Sequence, residues 1–276
     1  MKPLIIVAAH KPYPMPEDSM YLPVQAGAAP HDPIGFQRDD EGESLSDKNG
    51  LYCELTALYW AWKNRSSDAL GLAHYRRYLS IDGRQPAASE QIVRKLETCP
   101  ILLPRKRHYW IETNESQYVH AHGPQALNAL KETIADHAPD YLPAFEKSLK
   151  RTSGHRFNMF IMRRDLADAY CEWLFGLLFA LENRISGSEA EIPRLYGFLS
   201  ERMLDCWLET NGFHYEELRV YSTEKTNWVQ KGGAFLKRKF RPVELSWMEG
   251  RWATEWHSMM CSLWVRVCTA RCVRSS

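Results

Sequence analysis

The run Leu4-Ile-Ile-Val-Ala-Ala9 is six consecutive apolar residues near the start of the chain. Alternate side chains of a strand point to opposite sides, so such a run cannot lie on a sheet with one wet face. It belongs at the centre of a sheet covered on both faces, the usual setting of a parallel strand. The pattern returns at Asp68–His74, at Pro100–Pro104 and at Arg156–Met162, and Tyr21–Ala28 reads as a short strand ending in a Gly turn. Helical periodicity fills the gaps. Leu51–Asn64 places Leu51, Leu55, Leu58, Tyr59 and Trp62 on one face. Further helices are predicted over Ser89–Thr98, Gln117–His137, Tyr141–Lys150, Leu166–Ile185 and Ile192–Thr210. Strand and helix alternate, which predicts an α/β fold with a Rossmann-type, mostly parallel sheet flanked by helices. The polar stretch His31–Asn49, with the acidic run Asp39, Asp40, Glu41 and Glu43, reads as a surface loop.

Hydrophobic residues make up 45% of the 276 residues and charged residues 25%, which excludes a disordered or fibrous chain. The length suits one large domain, or one domain with an appendage. Seven cysteines, an odd number without a CxxC pair, do not make a secreted disulfide framework and predict a reducing compartment. The N-terminus reads as a buried strand and not as a signal peptide. The longest uncharged apolar run, Trp173–Leu181, falls far short of the roughly 20 residues of a membrane span. A cytoplasmic protein is expected, one that at most lies on a membrane surface.

Ligands of α/β sheets bind beyond the carboxyl ends of the strands. Three of these ends carry His10-Lys11, His74-Tyr75-Arg76-Arg77 and Arg105-Lys106-Arg107. Convergent cations describe a site for an anion, and the planar fork of Arg suits phosphate. The other reading of Arg76 and Arg77 is a surface ion-pair cluster against the acidic loop. GxGxxG, GxxxxGKS, GxSxG and HExxH motifs are absent, and no compact DxD stands at a strand end. His120 and His122 have no acidic or Cys partner at metal-ligand spacing, so no metal-binding residue is assigned. Ser46 or Asp47 is a candidate helix cap, while Lys48, Asn49 and Glu54 could instead face the cleft. Asn158 lies in an apolar strand, either as a structural hydrogen-bonder or as a sugar contact. Glu201 and Asp205 are four apart on one predicted helix, as a candidate general base with its neighbour or as a solvated acidic face.

Eight segments follow in order: AAHKPY, YLPVQAGA, DKNGLYCELTALYWAWKN, GLAHYRRYL, ILLPRKRHYWIET, KRTSGHRFNMFIM, CEWLF and SERMLDCWLETN. With them the chain resembles, over roughly residues 2–240, a bacterial glycosyltransferase family long catalogued only as a domain of unknown function and found in capsular and exopolysaccharide gene clusters. The resemblance implies a GT-A-like fold and transfer of galactose or galactofuranose from a UDP-sugar donor to a lipid-linked polysaccharide acceptor. A GT-A site normally holds Mn or Mg on the diphosphate through a DxD motif. Here HYRRY stands where the acidic pair belongs, so metal dependence is open and Arg76 and Arg77 are expected to replace the cation. The implied donor pocket comprises Ala8, His10, Lys11, Gln25, Gly27, Lys48, Asn49, Glu54, His74, Tyr75, Arg76 and Arg77, with Arg105 and Arg107 in reserve. His155 and Asn158 would face the sugars, and Glu201, or second to it Asp205, would be the catalytic base. A nucleotide-sugar pyrophosphatase and a non-catalytic sugar-binding protein of the assembly machinery are the alternatives.

The domain is expected over 1–230 and a distinct extension over 231–276. That extension carries nine Lys/Arg against three Glu, a net of +6, so the remaining chain is −5. Phe235, Phe240, Trp247, Trp252, Trp256 and Trp264 accompany the charge. Basic plus aromatic is the composition of a segment that docks on an anionic membrane surface. An acidic main domain argues against nucleic acid as a partner.

Overall fold

The computed structural model describes residues 1–109, 111–185 and 192–224, and these form one compact unit, Met1–Glu224. The extension expected over 231–276 and its boundary at 230 lie outside the described residues.

Strand β1 (Pro3–Ala9) pairs in parallel with β2 (Tyr21–Gln25) on one side and β4 (Ala69–His74) on the other, and β3 (Gln37–Arg38) continues the parallel run beyond β2. Register sets the carboxyl ends level: Ala8 is opposite both Val24 and His74. Alternation along β1 sends Ile6 and Ala8 into one core and Ile5, Val7 and Ala9 into the other. Each fully buried aliphatic side chain contributes about 1.5–3 kcal/mol by leaving water.

The rest of the sheet is mixed, mostly antiparallel, which corrects the expected topology. Strand β9 (Phe160–Arg163) runs antiparallel to β4 and to β6 (Ile101–Pro104). Strand β5 (Arg77–Ser80) runs antiparallel to β4, and β10 (Glu216–Ser222) lies between β5, antiparallel, and β6, parallel. The link between β4 and β5 is only Tyr75-Arg76. Two residues suffice to reverse a chain but not for a parallel crossover, which needs a dozen or more. A ribbon of β7 (Arg107–His108) and β8 (Ser153–Gly154) stands apart.

The helices are α1 (Asn49–Tyr52), α2 (Leu55–Asn64), α3 (Ser89–Thr98), α4 (Asn114–His122), α5 (Gln125–His137), α6 (Leu142–Lys150), α7 (Arg164–Arg184), α8 (Leu195–Ser200) and α9 (Leu204–Asn211). α3 covers one face with Ile92 and Leu96. α2 and α7 cover the other, around Trp60, Tyr59, Phe175 and Leu178. Three predicted helices are each divided. Cys53, at φ 53°, separates α1 from α2, and Gly123, at φ 79°, with Pro124 separates α4 from α5. The third break, at 201–203, lies between α8 and α9, so Glu201 and Asp205 do not share a helix face. The strand expected from Arg156 begins only at Phe160, because Phe157 and Asn158 take left-handed φ of 74° and 53°. Among the described residues no helix is long and apolar enough to cross a membrane.

Candidate functional site: a basic rim beside Glu54

The buried ring of Tyr75, in the turn after β4, gathers the cations of the rim. His10 meets it edge-on at 5.2 Å, the Arg76 guanidinium lies 4.9 Å from its centroid and the Lys11 ammonium 5.9 Å. An aromatic face attracts cations that would otherwise repel one another. Arg76 also pairs with Glu224 at 3.0 Å. Arg77, half-buried at the start of β5, stacks on Phe157 at 4.5 Å and has no ion pair among the described residues. Burial, then the charges of Arg76 and Arg107, pull its pKa below the ordinary arginine value. His10 is likewise held below its usual range by burial and then by Lys11, Arg76 and Arg194. Arg107 therefore joins the rim. Arg105 is tied by its backbone N–H to Leu218.

Beside the cations stands Glu54. Its Oε1 accepts from Asn158 Nδ2 at 2.8 Å and lies 4.0 Å from His74 Nε2, which is 2.6 Å from the Phe157 carbonyl. Asn158 also donates to Gly197 O and accepts from Ser200 Oγ, so its amide serves the fold on every side. Among the described residues the non-glycine positions with positive φ are Cys53, Phe157, Asn158 and Arg194. All four lie beside Glu54 or one contact away from it. Cys53 precedes it, Asn158 and Phe157 hold its neighbours, and Arg194 donates to Cys53 Sγ at 3.4 Å. Each such backbone costs about 1–3 kcal/mol, and strain of this kind collects where a site is held for function. Glu201 closes the group: Oε1 accepts the Phe157 N–H at 3.1 Å and Oε2 accepts from Arg202 at 3.0 Å.

Other expected residues support the rim from behind. Ala8 accepts the Tyr75 N–H through its carbonyl. Gln25, buried, donates to Asp32 O and accepts from Ile34 N, shaping the loop after β2. Gly27 has φ 71°, and a Cβ there would fall 2.5 Å from Asn49 Cγ, so only glycine fits. Asn49 itself donates to Cys53 O. Lys48 turns away to Glu182 on α7 at 2.9 Å. The acidic loop is not all surface. Asp39 is fully buried and accepts from Gly27 N, Ala28 N and Ser46 Oγ. Ser46 makes that bracket and caps no helix.

His155 and Asp205 form a buried pair behind Glu201. Asp205 Oδ1 is 2.5 Å from His155 Nδ1, and Oδ2 accepts the His155 N–H at 3.0 Å. Glu217 approaches the other ring nitrogen at 3.2 Å, and Arg156 stands 3.9 Å from Asp205. Burial works to raise the Asp205 pKa, but the hydrogen bond and charge of His155, then Arg156 and Lys106, outweigh it and hold the carboxyl below its ordinary 3.8. A depressed carboxylate adds stability above its unfolded pKa and loses it as pH falls through the folded value. Asp205→Asn is therefore expected to cost about 3 kcal/mol near neutral pH, the scale of a buried pair robbed of one member. The difference from the unsubstituted protein should shrink below about pH 4. Denaturant unfolding across pH checks this, and an equal deficit at every pH would remove the ion pair from the account.

The structure thus brings together His10, Lys11, His74, Tyr75, Arg76, Arg77, Glu54, Asn158 and Glu201, and sets Gln25, Lys48, His155 and Asp205 outside that group. Cys53, Phe157 and Arg194 complete the group without having been expected. Pro193 was the visible signal of a chain break beside Arg194. Among the described residues no group of three His, Cys, Asp or Glu is placed to hold a metal ion. At the rim the donor set is guanidinium, ammonium and imidazole, with Glu54 and Glu201 already taken by N–H donors. Among the described residues that set suits an anion.

An α/β domain with a basic rim at its strand ends is the class that these features define. Residues 4–212 match the family described as Domain of unknown function (DUF4422), and the chain belongs to it. No curated protein matches the chain. Among solved structures it is similar to the apo structure of the WbbM bifunctional glycosyltransferase, with TM-score 0.74 and 29% identity over 82% of this chain. The match covers 46% of that protein, so the chain spans less than half its length.

Proposed function

We propose that the chain is a glycosyltransferase that moves a hexose, galactose or galactofuranose, from a UDP-sugar to a lipid-linked polysaccharide acceptor in capsule, exopolysaccharide or O-antigen synthesis. The observation that carries the reading is Arg77, a half-buried guanidinium pressed by Arg76 and Arg107 with no ion pair among the described residues. Such a charge has room for an anion beside it. Likeness to a bifunctional glycosyltransferase supports the choice of a sugar-nucleotide as that anion.

In this reading the bond between the sugar anomeric carbon and the diphosphate oxygen breaks, and the acceptor oxygen bonds to that carbon. Negative charge develops on the leaving UDP beside Arg76 and Arg77, where fixed cations stabilise it without reorganisation. If the reaction inverts the anomeric centre, the acceptor proton passes to Glu201. That carboxylate uses two of its roughly four lone-pair positions on the protein and keeps the others. His155 and Asp205 hold the loop that presents Phe157 and Asn158, and so position the site from behind. The acceptor's lipid would place the protein on the inner face of the cytoplasmic membrane, and the basic extension would supply the contact.

The test is a donor screen: purified protein with UDP-galactose, UDP-galactofuranose, UDP-glucose and UDP-N-acetylglucosamine, with and without EDTA, following UDP release. Release from a galactose donor that survives EDTA is expected. Release abolished by EDTA would sink the arginine clamp but keep the transferase. Sugar phosphate with UMP would mark a pyrophosphatase. No turnover with UDP binding intact, given a lipid-linked acceptor, would leave a binding protein.

A further inference from the structure

Arg194 is the least expected member of the group around Glu54. It is exposed, yet it is locked. Its backbone takes φ 65°, its N–H donates to Gly50 O at 2.8 Å, its guanidinium lies 4.8 Å from the Phe198 centroid, and Nε donates to Cys53 Sγ. Phe198 is itself stacked on His122, with centroids 4.5 Å apart. A long side chain ordinarily loses much rotamer entropy on binding a ligand. Here the stack and the thiol have already removed that freedom. The two terminal nitrogens take no hydrogen-bond partner among the described residues, and no carboxylate there lies within ion-pair distance. The charge nonetheless reaches into the site: it acts on His10, as Arg76 does, and it feels Glu54 and Glu201. Arg76, in the β4–β5 turn, and Arg194, at the start of α8, thus act on the same imidazole from two different elements.

Resting on the reading of a sugar-nucleotide site, we propose that Arg194 is a second anion-binding arm, which takes the diphosphate of the donor with the terminal nitrogens of its guanidinium. A guanidinium fork makes paired, charge-assisted bonds to phosphate oxygens. The stack on Phe198 and the contact with Cys53 fix the fork beforehand, so little is lost when it binds.

The left-handed backbone makes the test clean. Glycine adopts φ 65° without strain, so Arg194→Gly removes the guanidinium and keeps the chain path. Calorimetric titration of the full chain with UDP and with uridine, which lacks the phosphates, reads the effect. In Arg194→Gly the Kd for UDP is expected to rise about 10- to 100-fold, the scale of a charged hydrogen bond, while uridine binds as before. Arg194→Lys should recover part of the loss, since it restores charge but not the fork. An unchanged UDP Kd would overturn the proposal. So would an equal loss for UDP and uridine, which would make Arg194 a wall of the pocket and not a phosphate ligand. An unsubstituted protein that binds neither compound would sink the sugar-nucleotide reading itself, a different failure from one confined to the variants.

Discussion

Arg77→Ala is expected to lower kcat/KM for the sugar-nucleotide by about 10²–10³, the cost of removing one fixed group that stabilises charge on a leaving oxygen. Thermal stability should hardly move. Arg77 has no ion pair to lose among the described residues, and burial with two neighbouring arginines already disfavours its charged form. What the fold forfeits is the stack on Phe157, and what it gains is relief from repulsion. The combination of intact melting and lost turnover separates a functional cation from a structural one. UDP-release rates beside a melting curve measure both. Turnover at the unsubstituted level would show that Arg77 meets no phosphate. Arg77→Lys should fall between, since an ammonium keeps the charge but neither the fork nor the flat stacking face.

Glu201→Gln should lower kcat by about 10²–10⁴ and leave the Kd for UDP nearly unchanged, because a general base acts on the acceptor and not on the donor. The amide is close in size to the carboxylate and can still accept from Phe157 or Arg202, so the loop at 157 should stay in place. Single-turnover measurement with acceptor reads the chemical step. If kcat stays within a few-fold of the parent, the proton goes elsewhere, and Glu54, 4.0 Å from His74, is the next carboxylate at the rim. Asp205 lies behind Glu201, buried against His155 and away from the rim.

Much of the fold could be read from hydrophobic pattern. The strands at Leu4 and Asp68, α3 and α7 followed from burial periodicity, and so did the placing of His10, Arg76 and Arg77 at strand ends. Pattern reports which side chains are buried, but it does not report the direction of a strand. The reversal through Tyr75-Arg76 therefore escaped it and β5 with it, and so did β10, whose exposed charges hide its pairing. The breaks at Cys53, Phe157-Asn158 and Arg194 were hidden for another reason. Positive φ in a residue other than glycine leaves no mark in composition, because the surroundings impose it. Arg194 and Cys53 reach the site only through such breaks. Asp39 looked like one acid in a run of acids, and its burial depends on backbone N–H groups contributed by Gly27 and Ala28.

The position of β10 has a consequence for how the domain is made. Residues 216–222 fill the gap between β5 and β6, both formed from residues 77–104. On a ribosome adding about 5–20 residues per second, those two strands wait on the order of ten seconds for their common partner. Throughout that wait each has an open edge, the feature through which nascent chains join one another. The family match stops at residue 212, but the sheet does not close before residue 222. A piece of this chain that keeps the sheet of the described residues whole must reach β10.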